Sequence, residues 1–145
     1  MKFSKKSEYA IYALIDLSRQ EKEKAVPLSE ISARQNIPMP FLEQIMLTLK
    51  SGGIVSSRRG SGGGFILSRH PKQITLGEII KLTEGPLGLD TDSAKEYSSA
   101  ERQVFFEIWQ QVSTTVQKAI GRITLTDMNQ RIIEINESRE YSYVI

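Results

Sequence analysis

The chain has 145 residues, 39% of them hydrophobic and 25% charged, with a formal net charge of +2, one histidine and no cysteine. That is one domain's worth of an ordinary globular composition. The missing thiols exclude disulfides, thiolate catalysis and thiolate-only metal sites, and the single imidazole excludes any site that needs two. The charge is unevenly spread: residues 1–83 carry +6 and residues 84–145 carry −4, so nucleic acid is expected on one side only.

Elements follow in chain order. The opening Met1-Lys2-Phe3-Ser4-Lys5-Lys6 is basic, with no apolar run behind it, and no segment approaches the ~18–20 apolar residues of a membrane span. A cytoplasmic protein with no membrane partner is expected. Ala10, Ile11, Ala13, Leu14 and Leu17 share one helical face, which predicts a helix over Ser7–Arg19 capped by Ser4 or Ser7. A charged turn, Gln20 to Lys24, leads to a short second helix, Leu28–Gln35, with Leu28 and Ile31 facing inward. Asn36-Ile37-Pro38 breaks it. A third helix spans Met39–Lys50, with Phe41, Leu42, Ile45, Met46 and Leu49 assigned to the core and Gly52-Gly53 as its stop.

Two short strands, Ile54–Arg58 and Phe65–Ser68, flank the glycine-rich tip Arg59-Gly60-Ser61-Gly62-Gly63-Gly64, a hairpin pattern. Helix returns over Thr75–Thr83. Residues 84–100, rich in Gly, Pro, Asp and Ser, form a linker. A long helix from about Ala100 to Gly121 follows, with Val104, Ile108, Val112, Val116 and Ile120 four apart and Phe105 and Trp109 beside them. A last short helix begins at Thr124 and ends near Ile135, and 137–145 is a polar tail. The expected organisation is a winged helix-turn-helix domain (1–83), a linker (84–100), dimerisation helices (101–136) and the tail. The fold class is mainly α with a small β-hairpin wing.

In a helix-turn-helix pair the second helix enters the DNA major groove. Once the core of the third helix is assigned, Met39, Pro40, Glu43, Gln44, Leu47, Thr48 and Lys50 remain. Glu43 can accept from the cytosine amino group, Gln44 can pair with adenine, and Met39 or Pro40 can touch a thymine methyl. Equally, these are the side chains that any helix turns to water. In the wing, Arg58 and Arg59 point to opposite faces, and an arginine beside a glycine tip suits the narrow minor groove. Four glycines among Gly60–Gly64 exceed what one turn needs. No Gly-Lys-Ser/Thr follows, so a phosphate loop is excluded. With one loop histidine, His70, as the only imidazole base, no enzyme is expected.

The runs Pro27-Leu28-Ser29-Glu30-Ile31, Phe41-Leu42-Glu43-Gln44-Ile45, Gly53 to Gly60 and Gly62-Gly63-Gly64-Phe65, with Ser4 to Ala10, Ile74 to Ile80 and Ile123-Thr124-Leu125, occur in an order and spacing that resembles one family. It is the winged-helix family of the bacterial regulators IscR, NsrR and CymR, the Rrf-two family. The resemblance covers about residues 1–128. It implies a homodimeric transcriptional regulator. The function expected is that of a repressor on double-stranded DNA, at an inverted-repeat operator because two-fold symmetry relates the half-sites by a dyad. The resemblance implies that Glu43 and Gln44 read bases and that Arg59 enters the minor groove. The expected DNA-contacting set is Lys5, Lys6, Ser7, Pro40, Glu43, Gln44, Arg58, Arg59, Gly60, Ser61, Gly62 and Gly63. Val104, Ile108, Trp109, Val112, Val116 and Ile120 are the expected dimer contacts. The alternative is a protein-interaction adaptor built on a winged helix.

Two departures from the family pattern matter. Many relatives hold an iron–sulfur cluster on three cysteines after the winged domain, and this chain has none, so no metal and no cofactor are expected. Pro38 stands where relatives often have a serine that caps the third helix, which implies a different entry to that helix. The resemblance is therefore to cysteine-free, CymR-like members. Those cysteine-metabolism repressors use cysteine synthase as a partner, an enzyme that captures C-terminal isoleucines, which makes Ile145 a candidate docking residue for it.

Overall fold

The computed structural model describes residues 3–87 and 99–144. Its helices are α1 (Lys5–Ser18), α2 (Leu28–Gln35), α3 (Met39–Ser51), α4 (Leu76–Glu84), α5 (Ala100–Ile120) and α6 (Leu125–Val144); the strands are β1 (Val55–Arg58) and β2 (Gly64–Leu67). None of these helices is long and apolar enough to cross a membrane. The fold is mainly helical with one small hairpin, as the periodicities predict.

Ser4 caps α1 by accepting from the Ser7 backbone amide at 3.3 Å, and the helix starts at Lys5 rather than Ser7. The hydroxyl supplies a partner for one of the orphan N–H groups of the first turn. Asn36 ends α2 in the left-handed conformation, φ 52°. Ser32 then clamps the turn, its hydroxyl donating to the Ile37 carbonyl at 2.6 Å while its own carbonyl accepts from the Ile37 amide at 3.1 Å. Ile37 itself is buried. Pro38 offers no side-chain cap to α3. The Pro38 carbonyl instead accepts from the amides of both Phe41 and Leu42 at 3.0 Å, and Pro40 in the first turn has the fixed φ that a helix start needs.

The core joins Ala10, Ala13 and Leu14 of α1, Ile31 of α2, Leu42, Ile45, Met46 and Leu49 of α3, Ile54, Val55, Ile74 and Ile79. Each fully buried aliphatic side chain contributes about 1.5–3 kcal/mol. β1 and β2 pair antiparallel, Val55 with Leu67 and Arg58 with Gly64. A bridge between Val26 and Phe65, with amide–carbonyl bonds of 2.9 and 2.8 Å, ties the hairpin to the entry of α2.

Three expectations are corrected. Phe41, expected inside, is 46% exposed; the buried line of α3 passes through Leu42, Ile45, Met46 and Leu49, and Phe41 flanks it with its ring set edge-on to Tyr9 at 5.7 Å. The last helix does not stop near Ile135 but continues to Val144, so residues 137–144 are helical rather than a free tail; Ile145 lies outside the described residues. The boundary between winged domain and dimerisation helices is not kept either. Leu125 is fully buried in the same core, Met128 packs on it, and Thr75 bridges Thr124. The start of α6 thus belongs to the winged unit. Of the expected linker, residues 88–98 lie outside the described residues; Ser99 caps α5 by accepting from the Arg102 amide.

Candidate nucleic-acid interface

On α3, the residues opposite the core line are Pro40, Glu43, Gln44 and Leu47, all exposed. Their spacing is i, i+3, i+4, i+7, one stripe of a helix. The side chains of Glu43 and Gln44 have no partner among the described residues. Lys50 is different: its ammonium lies 2.6 Å from the Ser57 hydroxyl and pins α3 to β1. Met39 is half-buried.

The wing separates its two arginines as strand alternation requires. Arg58 turns back and donates to the Glu23 carbonyl at 2.6 Å, in the loop between α1 and α2. Arg59, just past the strand, is exposed and has no partner among the described residues. Gly60, Ser61 and Gly62 at the tip are exposed, and Gly63 is half-exposed. The glycines have a local cause that sequence reasoning missed. Gly64 has φ 146°, and a Cβ there would lie 2.2 Å from the Val26 carbonyl oxygen. The hairpin cannot pair with Val26 if this residue carries a side chain. The number of glycines is therefore not itself a mark of groove contact.

At the start of α1, Lys5 pairs with Glu8 at 2.7 Å and remains exposed, while Lys6 is half-buried. Ser7 does not present its side chain at the surface, contrary to expectation. It is fully buried, its hydroxyl donating to Glu84 Oε1 and lying 2.6 Å from Thr83 Oγ1. The periodicity points to this, because Ser7 lies one turn before Ala10 and two before Leu14 on the buried face. Glu84 also accepts from the Ser4 amide at 2.8 Å and the Ser4 hydroxyl at 2.5 Å. These bonds, those of Ser4 first, hold its carboxyl below the usual carboxylate range. His70 caps a 3-10 turn, its Nδ1 accepting from the Lys72 amide at 3.1 Å.

On α5, Val104, Phe105, Ile108, Trp109 and Val112 are each 43–62% exposed. Val116 is half-buried. Ile120 corrects the expected dimer face: it is buried within its own chain, where Gly121 approaches Gly77 so closely that a Cβ on Gly77 would lie 3.2 Å from the Gly121 Cα. Gln117 donates to the Leu87 carbonyl at 2.5 Å, so the end of α5 is held both to α4, through Gly77, and to the segment that follows α4.

A helix-turn-helix followed by a glycine-tipped two-stranded hairpin defines the winged-helix class of DNA-binding regulators. The profile of the Rrf2 family, described as iron-dependent transcriptional regulator, matches residues 3–131. This chain belongs to the Rrf2 family of transcriptional regulators. It is 30% identical over 143 residues to the HTH-type transcriptional regulator IscR of Xenorhabdus nematophila, spanning 97% of this chain and 87% of that one. Among solved structures it is similar to CymR, the global cysteine regulator of B. subtilis (TM-score 0.76, 30% identity, 90% of this chain and 98% of that chain). It is also similar to IscR of T. potens (TM-score 0.75, 32% identity, 91% and 88%). These relatives are regulators and not enzymes.

The family's description invokes iron. A cysteine-ligated iron–sulfur cluster does not fit this chain, which has no thiolate to offer. Among the described residues no group of three or more His, Asp or Glu side chains comes together to replace it.

Proposed function

We propose that the protein is a homodimeric repressor that binds an inverted-repeat operator without a thiolate-ligated cluster. One α3 lies in the major groove of each half-site, and each Arg59 enters the adjacent minor groove. The observation that carries this reading is that Glu43, Gln44 and Arg59 are exposed polar side chains with no partner in the described chain. A winged helix retained only as a protein adaptor has no use for base-reading groups in these positions. Dimerisation is supported by α5, whose apolar stripe from Val104 to Val112 the described chain leaves open. A second copy related by a two-fold axis buries the stripe against itself and sets two recognition helices in dyad relation.

Docking of cysteine synthase on Ile145 is not part of this reading: residues 137–144 continue α6 rather than forming a free tail.

The test is a gel shift on the DNA upstream of the protein's own gene, with sedimentation of the free protein. A dimer at micromolar concentration and a salt-sensitive shift are expected, because phosphate contacts release counterions. A monomer with Trp109 open to quenchers, or no shift in low salt, contradicts the reading.

A further inference from the structure

The exposed stripe of α3 contains one residue that its polar neighbours do not explain. Leu47 is 58% exposed, more than any other large apolar side chain among residues 3–87. Phe41, the other large exposed apolar residue of this helix, has an aromatic partner in Tyr9. Leu47 is not part of the core cluster or of the residues packed against it. Its helix propensity is matched by Lys, Arg, Gln and Glu, so folding gains nothing from a leucine here. Four residues after Glu43 and three after Gln44, it lies on the same face. Its side chain leans toward the helix N-terminus and covers the turn those two occupy.

We infer that Leu47 is a specificity residue that makes apolar contact with the 5-methyl group of a thymine in the major groove. This rests on the reading of α3 as the recognition helix. The methyl of thymine is the apolar feature that the major-groove edges of the bases present, and the polar edges flanking it match the hydrogen-bonding groups of Glu43 and Gln44. A leucine placed between such groups discriminates T·A from C·G at its base pair without forming a hydrogen bond.

The probe is deoxyuridine, which deletes only the methyl group. An operator selected from random duplexes by the wild-type protein is rebuilt with dU replacing dT, one position at a time. One position per half-site should lose about fourfold in affinity, the equivalent of one buried methyl. In Leu47→Ala, dT and dU should bind equally at that position, while discrimination at the other positions is kept. Leu47 is outside the core, so the variant should melt as the wild type does. Tight, selective wild-type binding with no dU-sensitive position overturns the inference and leaves the DNA reading standing. So does a dU effect that survives in Leu47→Ala. A protein that selects no duplex at all overturns the DNA reading itself and this inference with it.

Discussion

Arg34 of α2 grips Asp16 of α1 with two parallel hydrogen bonds, Nε to Oδ1 at 2.9 Å and Nη2 to Oδ2 at 2.8 Å. The Asp16 side chain is 4% exposed and the Arg34 side chain 38%. Gln35 adds a third donor at 2.9 Å, and Arg34 reaches Glu30 at 3.1 Å with Nη1. Asp16 is the main cause of the raised pKa of the guanidinium. The pair fixes the first helix of the helix-turn-helix to α1, so the tilt of α3 is set from behind.

Replacing Arg34 by Leu leaves a buried carboxylate with one neutral donor. Removing one partner of such a pair costs about 2–3 kcal/mol when the partner removed is itself partly solvated. Thermal unfolding should show the midpoint falling by roughly 5–10 °C. An unchanged midpoint would show that the pair does not brace the fold.

The two halves of the proposed interface should respond differently. Arg59→Ala should weaken operator binding, most where A·T pairs narrow the flanking minor groove. Arg58→Ala should weaken it less, because Arg58 is held by the Glu23 carbonyl. Glu43→Ala should instead relax preference at one base pair by about 1–3 kcal/mol. It can raise overall affinity, since a negative charge leaves the phosphates' vicinity. Competition with single-base operator variants measures both effects. Unchanged base preference in Glu43→Ala would contradict the placement of α3.

Much of this architecture was legible in the sequence, for reasons visible in particular residues. Leu42, Ile45, Met46 and Leu49 recur at helical spacing and are buried. The turn residues Asn36 and Pro38 bound the helices they were expected to bound. What was not legible depends on contacts between distant segments. The helical spacing to Ala10 places Ser7 on the buried face, but its partner Glu84, 77 residues away, has no local signal. The burial of Ile120 within its own chain follows from the approach of Gly77 to Gly121, which leaves no local signature. The extension of α6 to Val144 has no sequence signal, because its polar second half lacks an apolar stripe.

Gly64→Ala tests the wing. The positive φ and the collision with the Val26 carbonyl require the Val26–Phe65 bridge to open. A loss of at least about 1–3 kcal/mol is expected, together with loss of protection of the Phe65 amide in hydrogen exchange. Gly53→Ala is the control: its φ is also positive, but a Cβ there meets nothing within 4 Å. Equal protection of Phe65 in the two variants would contradict the close approach.

Glu84 should make stability depend on pH on the acid side. Folding lowers its carboxyl's affinity for protons through the bonds from Ser4 and Ser7. Its contribution is complete above the usual carboxylate range and disappears as pH falls through and below it. Melting of the wild type and Glu84→Gln from pH 7 to pH 3 should therefore show a difference at neutral pH that closes in acid. A difference that stays constant would contradict the role given to this carboxylate.

The most direct test of the account is selection of bound sequences from a random duplex pool by the purified protein. Two copies of α3 related by a dyad should enrich an inverted repeat, with half-site centres about one helical turn apart or a multiple of it and A·T pairs where the wings reach. Enrichment of a single unpaired half-site, or of no sequence at all, would contradict a dimer that reads DNA through Glu43, Gln44 and Arg59.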